Sequence, residues 1–161
     1  MKLSSAILAL AGSSAPALAQ TLSVDAVDKW SWGENLGWMN WRDAGSPAGS
    51  QGCLLTPGYM SGYVWLENAG WLNLGDGSPA NGAAYANASG SDFGVNLDAD
   101  TGNLSGLAWG ENIGWINFGG GALATPPQPA RFDRVAQRFF GYAWGENVGW
   151  INLNDATAGK F

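Results

Sequence analysis

Apolar and polar residues alternate in short runs along this chain, and the runs come in sets separated by turn-forming residues. Residues 93–98 (FGVNLD) alternate, 99–103 (ADTGN) have the composition of a tight turn, and 104–109 (LSGLAW) are extended again. After Gly110, Glu111 and Asn112 the alternation returns at 115–118 (WINF) and stops at three consecutive glycines, 119–121. A period of two predicts strands, and three runs joined by short turns predict a three-stranded antiparallel meander. The same set recurs at 130–135, 138–144 and 150–153, at 53–56, 60–65 and 71–74, and at 22–26, 29–32 and 38–41. Four such units make twelve short strands.

Each unit carries one motif: WGENLGWMNW at 32–41, WLENAGWLNL at 65–74, WGENIGWINF at 109–118 and WGENVGWINL at 144–153. Six positions are identical in all four copies, namely a first Trp, Glu, Asn, Gly, a second Trp and a final Asn. The second Trp recurs at intervals of 33, 44 and 35 residues, a spacing found in propeller blades and related β-repeat units. Side chains alternate faces along a strand, so a hairpin symmetric about Asn112 places Trp109 and Trp115 opposite each other on one face, with Asn117. Ile116 and Phe118 then fall on the other face. With Leu72, Leu74, Ile151 and Leu153 they are the expected core.

Residues 140–153 (FGYAWGENVGWINL) resemble the tandem SGYAWxENIGWIN-type repeats of exported bacterial proteins. The resemblance covers most of the chain after residue 20. The first copy departs from it, with Lys29, Trp30 and Ser31 where the others begin with Gly. It implies export and repetition, and it carries no activity with it.

The ends agree with export. Met1 and Lys2 precede an apolar stretch over residues 3–11, and Ala17, Leu18 and Ala19 follow, the layout of a signal peptide over 1–19 that is cleaved after Ala19. That stretch is shorter than the roughly 20 residues a helix needs to span a bilayer, so no transmembrane segment is expected after cleavage. The remaining residues, 20–161, form a single four-repeat β domain in this reading. Without Lys2 the chain keeps six basic against 13 acidic residues, a net charge of about −7. That sign disfavours nucleic acid and anionic lipid as partners, and Arg131, Arg134 and Arg138 are read as one solvated strand face. The lone Cys53 allows no intrachain disulfide and is expected to be buried as a small apolar residue.

Little in the chain suggests catalysis. It has no histidine, Cys53 has no imidazole to activate it, and four copies of one motif give four similar carboxylate environments where acid–base work needs unlike ones. No enzyme activity, metal or cofactor is expected. Asp98, Asp100, Gly102 and Asn103 faintly resemble a calcium loop, but without the distal glutamate of such a site a plain turn is expected.

The motif itself reads first as structure. Its Asn suits a left-handed turn position, its Gly supplies a second flexible site, and its Glu could accept amides of the turn or of a neighbouring repeat. Most of the tryptophans are expected to be buried between units. Exposed, the second tryptophans Trp38, Trp71, Trp115 and Trp150 would offer platforms for sugar rings. The final asparagines Asn40, Asn73, Asn117 and Asn152 would bond hydroxyls, and Tyr63 and Tyr142 would stand at the rim.

The expected fold is therefore all-β: four three-stranded antiparallel meander repeats packed as one domain, closed like a propeller or barrel in preference to a linear stack. The expected role is non-catalytic binding or display at the cell exterior, with a glycan or another cell-surface component as partner. The alternatives are a structural or adhesive surface component and, third, a hydrolase. Oligomeric state is not legible.

Overall fold

The computed structural model describes residues 23–154; the expected leader over 1–19, its expected cleavage site and Leu22 lie outside the described residues. The first repeat contributes β1 (Trp30–Gly33) and β2 (Gly37–Asn40). The second contributes β3 (Leu54–Leu55), β4 (Met60–Ser61), β5 (Tyr63–Leu66) and β6 (Gly70–Asn73). The third supplies β7 (Val95–Leu97), β8 (Leu104–Gly110) and β9 (Gly114–Asn117). The fourth supplies β10 (Arg131–Asp133), β11 (Arg138–Phe140), β12 (Tyr142–Gly145) and β13 (Gly149–Asn152).

Eight of these strands close into an antiparallel barrel in the order β6-β5-β2-β1-β13-β12-β9-β8, with β8 returning to β6. Each motif is one hairpin of that barrel. Its two tryptophans face each other in register: Trp32 and Trp38, Trp65 and Trp71, Trp109 and Trp115, Trp144 and Trp150. Between hairpins the ladder is only two residue pairs long. At all four seams the final Asn of one repeat pairs with the first Trp of the next: Asn40 with Trp65, Asn73 with Trp109, Asn117 with Trp144, and Asn152 with Trp32. The last of these seams joins the end of the chain to its beginning and completes the ring.

The expected meanders form in three repeats, with one modification. Their middle strand bends at Gly62, Gly106 or Gly141, all at positive φ, and passes from a short outer hairpin into the barrel. These glycines are required, because a Cβ at Gly141 would lie 2.0 Å from Pro129 O and one at Gly106 would lie 2.3 Å from Gly94 O. The first repeat has no outer strand among its described residues. The Asp25 carboxylate instead accepts the N–H groups of Val27 (2.6 Å) and Asp28 (2.8 Å), which folds the stretch into a turn.

Alternation decides what fills the barrel. Small residues on the first strand of each hairpin face large ones on the second: Ser31 opposite Met39, Val64 opposite Leu72, Ala108 opposite Ile116, Ala143 opposite Ile151, all buried. An eight-stranded barrel is only wide enough to be filled by side chains, and pairing small with large fits that width. Leu36, Ala69, Ile113 and Val148, from the variable motif position, seal the turn end. Trp41, Leu74, Phe118 and Leu153 cover the opposite end, where Phe132, Phe139, Met60, Leu55 and Leu97 of the outer hairpins extend the core. Each buried Leu, Ile or Met contributes about 1.5–3 kcal/mol. Cys53 is buried in this layer, and desolvation pushes its thiol far above the ordinary range.

Apart from the seven-residue β8, the barrel strands have four residues and span about 14 Å, short of the roughly 25 Å apolar band of a membrane barrel. No helix among the described residues is long and apolar enough to cross a membrane.

Trp41 is the fully buried tryptophan of the set, and its indole N–H needs an acceptor. Ser31 supplies it at 2.6 Å, at the position where the other repeats have Val64, Ala108 and Ala143. We expect Ser31→Val to cost about 1–3 kcal/mol by orphaning that N–H. In a Trp41→Leu background, which reproduces the second repeat's pairing, the same change should cost little. A urea-denaturation double-mutant cycle with no coupling between the two positions would contradict this account. A second expectation separates space from conformation. Gly141→Ala should destabilise by well over the ~1–2 kcal/mol of a left-handed alanine. Gly149→Ala, at φ 77° with no heavy atom within 4 Å of its new Cβ, should cost only that much in the same assay.

Candidate functional site

The Glu-Asn-x-Gly turns lie at one end of the barrel. Each is closed by the N–H of the variable residue donating to the carbonyl three residues earlier, as in Leu36 to Gly33 (3.0 Å) and Ile113 to Gly110 (3.2 Å). The left-handed position is the glycine, with φ of 70° at Gly37, 82° at Gly70, 74° at Gly114 and 77° at Gly149. The expectation that the motif's first Asn takes this conformation is therefore corrected: none of Asn35, Asn68, Asn112 and Asn147 has positive φ. The turn leaves this Asn pointing sideways, across the seam.

There it ties neighbouring repeats together. Asn112 Nδ2 donates to Ala69 O (3.1 Å), Asn147 Nδ2 to Ile113 O (3.1 Å), and Asn35 Nδ2 to Val148 O (3.0 Å) across the closing seam. In the second repeat the backbone N–H of Asn68 donates to Leu36 O (3.0 Å), and Glu67 Oε2 accepts the N–H of Trp38 (3.1 Å). A belt of inter-repeat bonds thus runs around the turn end.

The final asparagines are also occupied. Asn40 Oδ1 accepts Arg42 N (3.0 Å), Asn73 Oδ1 accepts Gly75 N (2.9 Å), Asn117 Oδ1 accepts Gly119 N (2.8 Å) and Asn152 Oδ1 accepts Asn154 N (2.9 Å). Each ends its strand with a side-chain-closed turn. Asp98 does the same in the third repeat's outer hairpin, where its carboxylate takes Thr101 N and Oγ1 (both 2.7 Å) and Asp100 N (3.0 Å). The bonds from Thr101 hold its carboxyl below the usual range. This is the expected plain turn.

The tryptophans do not follow the burial expectation. Trp65, Trp71, Trp109, Trp115, Trp144 and Trp150 are 38–47% exposed, and Trp30, Trp32 and Trp38 are half-buried. The reason is volume: the barrel interior is filled by Ile, Leu and Met against small residues, so the indoles are turned outward. They pack on each other in tilted or edge-on pairs, with centroids 4.7 Å apart in the second and third hairpins and 4.8 Å in the fourth. Tyr63, also exposed, leans edge-on against Trp71 at 6.3 Å, and the half-buried Tyr142 repeats this against Trp150 at 6.2 Å.

At the seam between the second and third repeats these groups line a groove of about 540 Å³. Its aromatic walls are Tyr63, Trp71 and Trp109, and its polar groups are Gln51, Asn73, Asn112 and Glu111. Glu111 is the charged residue of the lining; no Lys or Arg is among it. Of the residues expected to meet a ligand, the groove gathers Tyr63, Trp71 and Asn73. Trp38, Trp115, Trp150, Asn40, Asn117, Asn152 and Tyr142 lie at other seams or hairpins. Gln51, Trp109, Glu111 and Asn112 were missed, because they join the site through a pairing between hairpins that no local pattern reveals. No family model, no curated protein and no solved structure matches the chain.

Asn112→Ala should lower stability by about 1 kcal/mol, the net value of one amide–carbonyl bond. Asn112→Gly should cost at least as much, since it adds chain freedom without relieving any left-handed strain. If Gly were clearly better tolerated than Ala in thermal unfolding, the seam role would be wrong and a left-handed turn Asn right.

Proposed function

We propose that this protein is an exported, non-catalytic binding module that recognises glycans through the outward tryptophans of its barrel seams. The observation that carries the proposal is the groove at the second seam, where three aromatic rings stand beside three side-chain amides and one carboxylate. A pyranose presents C–H groups on its faces and hydroxyls around its edge, so it asks for an aromatic surface flanked by amides and carboxylates. A volume of about 540 Å³ falls within the range of small-ligand sites. Export, expected from the leader and from the resemblance to exported repeat proteins, would place such a module where glycans are.

Two features weigh against the rivals. The four glutamates of the turns are all exposed and each sits on its own hairpin, which gives little support to a paired acid and base. The eight barrel strands are all paired on both sides, so assembly through free strand edges has no template there.

Intrinsic fluorescence tests the proposal. The folded protein should emit partly at long wavelength and be quenched by acrylamide, and a bound polysaccharide should reduce that quenching. A panel of neutral and charged polysaccharides that leaves emission and quenching unchanged would remove glycan recognition and leave a surface-structural role.

A further inference from the structure

The four seams share one register but not one lining, and the geometry points to two of them as ligand sites: the seams between repeats two and three and between repeats four and one, on opposite sides of the barrel. This rests on the glycan reading above and fixes its valence and ligand class.

The distinction comes from what precedes each motif. In the second repeat, Tyr63 flanks Trp71 and its backbone N–H donates to Gln51 O (2.9 Å), which brings the Gln51 side chain to the groove. In the fourth repeat, Tyr142 flanks Trp150 and its N–H donates to Gln128 O (3.1 Å). The next repeat then supplies a Trp, a Glu and an Asn: Trp109, Glu111 and Asn112 for the first site, and Trp32, Glu34 and Asn35 for the second. The Asn of each makes the same seam bond, to Ala69 O and to Val148 O.

The other two seams break the pattern. In the third repeat Leu107 replaces the tyrosine, its N–H is shared between Gly94 O and Asn87 Oδ1 (both 3.1 Å) in place of a glutamine carbonyl, and Phe93 packs edge-on over Trp115 at 5.1 Å. At the seam between repeats one and two, Glu67 is drawn onto the backbone N–H of Trp38, and Trp30 stands in place of tyrosine. Odd and even repeats therefore differ in kind. Each site carries one carboxylate facing the ligand on a chain of net charge −6, so the fitting class is a neutral glycan; uronates and sulfated sugars would meet like charge. A module with two opposed sites bridges glycan chains, because linked sites gain avidity without new contacts.

The test titrates the full chain with a soluble neutral glucan oligosaccharide series and, in parallel, with oligogalacturonate. Neutral oligosaccharide should bind at two sites per molecule, and oligogalacturonate should bind at least tenfold more weakly. Trp71→Ala and Trp150→Ala should each leave one site of unchanged affinity, and the double variant none, with circular dichroism checking that the fold survives. A long neutral glucan should be cross-linked into aggregates by the parent chain but only bound by either single variant. One site or four in the parent, retained binding in the double variant, or preference for the uronate would overturn the proposal while leaving glycan recognition standing. Failure of the parent chain to bind any member of the series or the uronate would overturn both.

Discussion

The structure depends on closure of the seam between the first and last repeats. A four-residue hairpin has one apolar face and too little area to bury it alone, so each motif needs a neighbour on both sides. A row of four would leave two strand edges unpaired and no enclosed interior. Pairing Trp32 with Asn152 and Gly33 with Ile151 turns the row into a ring, and the inward face of every hairpin becomes core. Because each seam has only two paired positions, the ladder is a weak joint by itself. The bonds from Asn112, Asn147 and Asn35 to carbonyls of the preceding repeat reinforce it at the turn end, where the strands would otherwise fray. Three of the four copies use the same Asn side chain for this, and in the second the backbone N–H of Asn68 reaches Leu36 O, so every seam is bonded at its turn end.

Closure at eight strands also fixes where the tryptophans go. The interior takes one small and one large aliphatic side chain from each hairpin level and has no room for eight indoles. Trp41 enters only beyond the last barrel level, where it meets Phe139 at 4.2 Å and Phe118 at 6.1 Å, and its entry is matched by a hydroxyl in the neighbouring strand. The remaining motif indoles are held by each other. An outward ladder of edge-packed aromatic rings is stabilising through cross-strand contact, and it leaves ring surface facing solvent.

Much of this was legible in the chain, and the division follows sequence distance. The hairpins, the opposed tryptophans and the apolar set Leu72, Ile116 and Ile151 all follow from a period of two around a fixed turn, which is local information. The outer hairpins were located for the same reason, to within a few residues. Closure was favoured on the grounds of edge protection, but the actual seams were not visible. The groove at the second seam joins Gln51, Tyr63, Trp71 and Glu111 across a pairing of Asn73 with Trp109, and nothing near any one of them marks it. The misreading of the turn has a different origin. Asn and Gly are both compatible with left-handed backbone, and composition alone assigned the position to Asn; the fold gives it to Gly and frees the Asn side chain to act between repeats.

What separates the repeats also shapes the proposed sites. Among the residues identical in all four copies, the glycine takes the left-handed turn position, Asn35, Asn112 and Asn147 make seam bonds, and the final Asn ends each strand. The proposed sites combine motif groups such as Trp71, Trp109 and Glu111 with groups from the segments between motifs. Gln51 and Gln128 arrive on the loops that precede the outer strands, Tyr63 and Tyr142 directly after the glycines at the bend, and Phe93 from the long excursion between the second and third repeats. In the proposal the ring of seams is the scaffold, and the intervening segments distinguish one seam from another. In the proposed sites, specificity would then evolve by exchanging those segments, while the motif's Trp71, Trp109 and Glu111 supply the constant part of the lining.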